Sequence, residues 1–147
     1  MGTRVVVMAG LVTILLAAVG CSPAVGASPA DESNVEVSID EFMDANHIVK
    51  TVEVSEGGVL TVSLGSNPST GFSWTEDALI GNPAVVQQTA SEYVAPETQG
   101  LAGASGNQVW TFEALQKGTT SLTMEYGRPW EGGEKGVWIF ELTVTVK

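Results

Sequence analysis

Val137 to Val146 reads VWIFELTVTV, and this stretch decides the fold class. Trp138, Phe140, Leu142, Val144 and Val146 fall on one side of an extended chain, with Glu141, Thr143 and Thr145 on the other. A period of two is what a strand with one buried face requires. Working outward, the same alternation recurs. VEVSI places Val35, Val37 and Ile39 on one face, and IVKTVEV sets Ile48, Lys50, Val52 and Val54 against Val49, Thr51 and Glu53. Leu60, Val62 and Leu64 alternate in VLTVSL, Trp110, Phe112 and Ala114 in VWTFEAL, and Leu122, Met124 and Tyr126 in SLTMEY.

Between these runs lie EGG, SNPSTG, GNP, QKGT and EGGEKG, clusters of residues that break strands and turn chains. No window of eleven or more residues keeps a helical period, and no internal repeat is present. About seven or eight short strands in a segment of this length predict an all-β antiparallel β-sandwich, with a small barrel as the alternative. The Cys…Trp…Cys pattern of antibody domains is absent. From the residues alone, an immunoglobulin-like arrangement rests on strand count.

The chain has 147 residues, room for one domain with a real core. It carries 17 acidic against 6 basic side chains, a net charge of −11. That balance excludes nucleic acid as a partner, because too few cations are available to neutralise a run of phosphates. Arg4 precedes VVVMAGLVTILLAAVG, too short for a bilayer span and patterned as a secretory signal over residues 1–20. Cys21, the sole cysteine, follows Ala18-Val19-Gly20. This resembles the lipobox of bacterial lipoproteins, in which the cysteine becomes a lipidated N-terminus; Ala18 stands where Leu is more usual. The implied location is the cell envelope, with the exported domain held to a membrane outside the cytoplasm. A lone cysteine allows no disulfide within the chain. Ser22 to Asn34, SPAVGASPADESN, reads as a flexible tether, so residues 21–34 link the anchor to a domain spanning 35–147.

The catalytic inventory is thin. His47 is the only histidine and lies at the mouth of a predicted strand with no nucleophile-elbow sequence. It reads as an exposed strand-end residue. Zinc would need more Cys and His ligands than this chain holds. DESNVE and EFMD lack the spacing of a calcium loop. Acids scattered over a surface are the ordinary state of an acidic domain, and a glycosidase pair is one arrangement they leave open. The chain is expected not to be an enzyme, and no cofactor is implied.

Three loops stand out instead. In GSNPSTGFSW, Pro68 fixes its own φ and biases Asn67 to extended backbone, Ser69 and Thr70 can bond back to the chain, and Gly71 permits positive φ. A stiff tip at Asn67–Gly71 loses little entropy on binding. Phe72 and Trp74 are expected to begin the next strand and belong to the core. GLAGASGNQVW, from Gly100 to Trp110, has almost no side-chain bulk and would let another backbone approach. YGRPWEGGEKG offers Arg128, Pro129 and Trp130 after a strand; exposed Trp and Arg dominate binding hot spots.

In this order, NPSTGFSW, GLAGASGNQVWTF and YGRPWE resemble the signature loops of the chagasin family, protein inhibitors of papain-like cysteine proteases. The family patterns are Asn-Pro-Thr-Thr-Gly followed by an aromatic residue, Gly-x-x-Gly, and Arg-Pro-Trp. The resemblance covers Val35 to Lys147 and implies an immunoglobulin-like β-sandwich with all three loops at one end. It further implies that Asn67, Pro68, Ser69, Thr70 and Gly71 form a wedge that enters the protease cleft. Gly103, Ala104, Ser105 and Gly106 would line one side of it, and Arg128, Pro129 and Trp130 would clamp the other. Ser69 stands where the family more usually has Thr, keeping the hydroxyl and losing a methyl. Tyr126 matches a family tyrosine whose role would be structural. The implied function is reversible, competitive inhibition by a monomer, with no covalent step. A lipid-anchored adhesion or envelope-binding module is the alternative from another class.

Overall fold

The computed structural model describes residues 31–97 and 104–147. The leader, Cys21, the tether up to residue 30, and Gly103 lie outside these residues. Nine strands and one short helix follow in the order β1 (Glu32–Val37), α1 (Ile39–Asp44), β2 (His47–Val54), β3 (Val59–Ser66), β4 (Ser73–Trp74), β5 (Leu79–Ile80), β6 (Val86–Val94), β7 (Gly106–Ala114), β8 (Gly118–Gly127) and β9 (Trp138–Val146). One sheet has the order β1-β3-β7-β6 and the other β2-β9-β8-β4, with β5 also on β8.

The core lies between the sheets, where the alternation places it. Leu60, Val62, Leu64, Trp110 and Phe112 from the first sheet are buried against Leu122, Met124, Phe140, Leu142 and Val144 from the second. The all-β sandwich is therefore the observed architecture. Its sheets are mixed rather than wholly antiparallel: β1 runs parallel to β3, and β2 parallel to β9. Alternation fixes which face of a strand is buried and carries no information on the direction of its neighbour.

Two boundaries differ from expectation. β1 starts at Glu32, so Glu32 to Asn34, read as the end of the tether, pair with Val59 to Thr61. These three residues carry no apolar side chain, so alternation had nothing to register. Ile39 does not continue β1 but opens α1. Ser38 caps this helix with a reciprocal capping box, its hydroxyl accepting from the Glu41 N–H and its own N–H donating to the Glu41 carboxylate. α1 buries Phe42 and carries the chain from the edge of one sheet to the edge of the other.

Aromatic rings close the core beneath the loops. Phe42 packs on Trp74 and Trp138, with centroids 5.0 and 5.4 Å away. Tyr126 stacks on Trp138 at 4.6 Å and meets Trp74 at 5.0 Å. Such pairs add to the area they bury and hold rings in fixed relative orientations. This platform makes one end of the sandwich rigid.

Candidate inhibitory edge

The strand registers decide where the loops emerge. Ser66, the last residue of β3, pairs with Gly106, the first of β7. Ser73, which opens β4, pairs with Gly127, which closes β8. The β3–β4 loop, the β6–β7 loop and the β8–β9 loop therefore leave from the same end.

The β3–β4 loop folds as a single 3-10 turn over Pro68–Thr70. Thr70 Oγ1 donates to the Asn67 carbonyl at 2.7 Å, and Ser69 Oγ donates to Asn67 Oδ1 at 2.6 Å. The Gly71 N–H bonds the Pro68 carbonyl at 3.0 Å, and Gly71 ends the turn at φ +79°, which favours glycine. Pro68, Ser69 and Thr70 are exposed, yet the Ser69 and Thr70 hydroxyls donate within the loop, so the tip is stiff. The base is pinned twice. Tyr126 Oη accepts from the Asn67 N–H at 3.2 Å and donates to the Asn67 carbonyl at 3.4 Å, and Trp74 Nε1 donates to the Gly65 carbonyl at 2.9 Å. Tyr126 is thus the anchor of the tip as well as a core ring.

Arg128, Pro129 and Trp130 lie directly alongside. The Arg128 guanidinium sits 4.5 Å from the Phe72 ring centroid and 5.8 Å from that of Trp130. Its Nε is buried without an acceptor among the described residues, so aromatic faces rather than a hydrogen bond hold that side of it. The rest of the loop is cross-tied. The Arg128 N–H donates to the Glu134 carbonyl at 2.7 Å, the Gly133 N–H to the Trp130 carbonyl at 3.1 Å, and Lys135 Nζ to the carbonyls of Arg128 and Trp130. Trp130 nevertheless keeps 52% of its surface exposed, an unusual state for the largest apolar side chain.

Of the second loop, Ala104, Ser105 and Gly106 are described and Gly103 is not. Gly106 is buried where β7 begins, and a Cβ there would collide with the Val94 carbonyl and the Tyr93 ring. Ser105 beside it is exposed. The structure thus brings Asn67–Gly71, Ala104–Gly106 and Arg128–Trp130 to one edge.

Phe72 departs from expectation in part. Trp74 is core, but Phe72 precedes β4, is half-buried, and stacks on Tyr126 at 5.7 Å with Arg128 over its ring. It packs against the core and also forms part of the edge, a second role that the aromatic-x-aromatic spacing did not show. His47 begins β2, half-exposed, with Nε2 3.5 Å from Glu141.

Known proteins share this sequence pattern and this fold. Residues 53–144 match the family model described as "Chagasin family peptidase inhibitor I42". The chain is 31% identical to chagasin of Trypanosoma cruzi over 87 residues, 58% of this chain and 79% of that protein. It is 26% identical to amoebiasin-2 of Entamoeba histolytica over 97 residues, 66% of this chain and 77% of the relative. Among solved structures, the cysteine protease inhibitor EhICP2 from Entamoeba histolytica superposes with a TM-score of 0.60 at 22% identity, covering 79% of this chain and 97% of that one. PbICP-C, solved in complex with falcipain-2, superposes with a TM-score of 0.57 at 18% identity, covering 78% and 99%. These two share the fold. The family consists of protease inhibitors, not enzymes. With its family model matched across most of the sandwich, this chain belongs to the chagasin family of peptidase inhibitors.

Proposed function

We propose that this protein is a reversible, competitive inhibitor of papain-like cysteine proteases that fills the active-site cleft with its three-loop edge. The observation that carries the reading is the pinned wedge at Asn67–Gly71 packed against the exposed Trp130. Asn67, Pro68, Ser69, Thr70 and Gly71 would enter the cleft, Gly103 to Gly106 would line one wall, and Arg128, Pro129 and Trp130 would grip the other. The wedge is held by its own hydrogen bonds, so little ordering entropy would be lost on docking. It need not mimic substrate: it has only to occupy the cleft without setting a carbonyl in line with the thiolate. Interfaces of protease–inhibitor type bury about 1,600 Å² with little backbone movement. The complex of PbICP-C with falcipain-2 supports a protease as partner.

The same proposal includes lipidation of Cys21, export, and action as a monomer on a membrane surface. The fold suits that arrangement. Glu32 pairs with Val59, and the Lys147 N–H donates to the Val54 carbonyl, so both ends of the sandwich chain lie at the pole opposite the loops. The eight residues of β3 separate the poles by ~25 Å. A lipid on Cys21 would leave the loops turned away from the membrane. The test is inhibition kinetics against a panel of papain-like, serine and metalloproteases, with inhibition of the papain-like class alone expected.

A further inference from the structure

Beside the wedge, and sharing Asn67 and Thr70 with it, Ile39, Phe72, Tyr126, Val137 and Trp138 line an open groove of about 250 Å³. Its hydroxyl groups already bond within the wedge. Thr70 Oγ1 is spent on the Asn67 carbonyl, and Tyr126 Oη bridges the Asn67 N–H and carbonyl. Among the described residues no charged side chain lines it, although the chain carries a net charge of −11. An occupant would therefore find a mainly apolar surface and no counter-ion.

The walls are fixed. Trp138 is stacked between Tyr126 and Phe42, and Ile39 is pressed so closely on β3 that a Cβ at Gly65 would meet the Ile39 backbone nitrogen at 2.5 Å. Val137 stands on the rim with 36% of its surface exposed. The groove shares Asn67 and Thr70 with the wedge, so whatever receives the wedge must pass over it.

We infer that this groove is a fourth contact of the inhibitory edge, receiving an apolar side chain carried on the rim of the protease cleft. The inference rests on the inhibitory reading above. Rigid apolar grooves that are already formed bind without ordering cost, and burying one aliphatic or aromatic side chain is enough to change affinity by an order of magnitude. The contact would also select among papain-like enzymes, favouring those with an apolar rather than a charged residue at that place.

The experiment measures inhibition constants of the full chain and its variants against several papain-like proteases. Val137→Asp is expected to weaken inhibition about tenfold or more, and the shape-conserving Val137→Thr by a few-fold. Leu115→Asp, an exposed leucine at the opposite pole, is expected to change it by less than about twofold. Wild-type inhibition left unchanged by Val137→Thr, or by a folded Val137→Asp, would overturn the groove contact while leaving the inhibitory reading intact. Loss of self-association at an unchanged inhibition constant would assign the groove to a second copy of this chain and likewise overturn it. A wild-type chain that inhibits none of the proteases would remove both.

Discussion

Gly71 and Trp130 are in contact: a methyl group added to Gly71 would stand 2.9 Å from Cη2 of the Trp130 indole. The wedge therefore ends against the ring that the neighbouring loop exposes, and the two loops form one surface rather than two.

Gly71→Ala should accordingly damage both. The left-handed backbone at φ +79° costs an alanine about 1–2 kcal/mol, and the added methyl must displace Trp130. A modest fall in melting temperature with a weakening of inhibition by about tenfold or more is expected. Calorimetry and inhibition kinetics on the same preparation check it. A loss of stability with unchanged inhibition would separate the loops.

Tyr126→Phe removes the hydroxyl from Asn67 and keeps the ring, stacked 4.6 Å from Trp138. One such hydrogen-bond anchor contributes about 1 kcal/mol, or about fivefold in an equilibrium constant. Amide exchange should accelerate at Asn67–Gly71 and not in β8, and inhibition should weaken by a similar factor. Unchanged exchange in the wedge would mean that the 3-10 turn holds itself.

Arg128→Lys keeps the charge and discards the planar group that lies 4.5 Å over Phe72. If stacking is what positions Trp130, Arg128→Lys and Arg128→Met should weaken inhibition alike, by about threefold. Full inhibition by the lysine variant would assign the role to charge.

Glu41 supplies a pH dependence. The Ser38 backbone N–H, then the Lys50 charge and the Ser38 hydroxyl, hold its carboxyl below the ordinary glutamate range, with desolvation opposing them. A carboxylate lowered in the folded state stabilises it above the unfolded value of about 4.3, and that contribution is lost as pH falls through the folded value. Wild type should therefore melt above Glu41→Gln at neutral pH, with the gap closing below about pH 4. A gap independent of pH would show that the carboxylate does not act through its charge.

Most of the sandwich was legible because each central strand buries one face with large apolar side chains, as Phe112 and Phe140 do. β6 was not. It is an edge strand reading VQQTASEYV with a register shift between Gln88 and Ala90, so neither apolar alternation nor an unbroken period marks it. β4 and β5 have two residues each, too few for any period. α1 also falls below the length at which helical periodicity is visible, although Ser38 and Glu41 spell its capping box. The loops were legible because Asn-Pro, Gly and Arg-Pro-Trp are costly choices for a plain turn. What composition could not convey was the packing between them: Phe72 under Arg128, and Trp138 and Val137 beside Ile39 in the groove.

Occlusion of a papain-like active site by the three-loop edge is the proposal on which the rest depends. Its most direct test is the inhibition constant of the full chain against several papain-like cysteine proteases, with Trp130→Ala measured in parallel. Competitive, fully reversible inhibition is expected, weakened by about 2 kcal/mol, or about thirtyfold, when the indole is removed. No inhibition of any of these enzymes at micromolar concentration, or noncompetitive inhibition unaffected by Trp130→Ala, would contradict it.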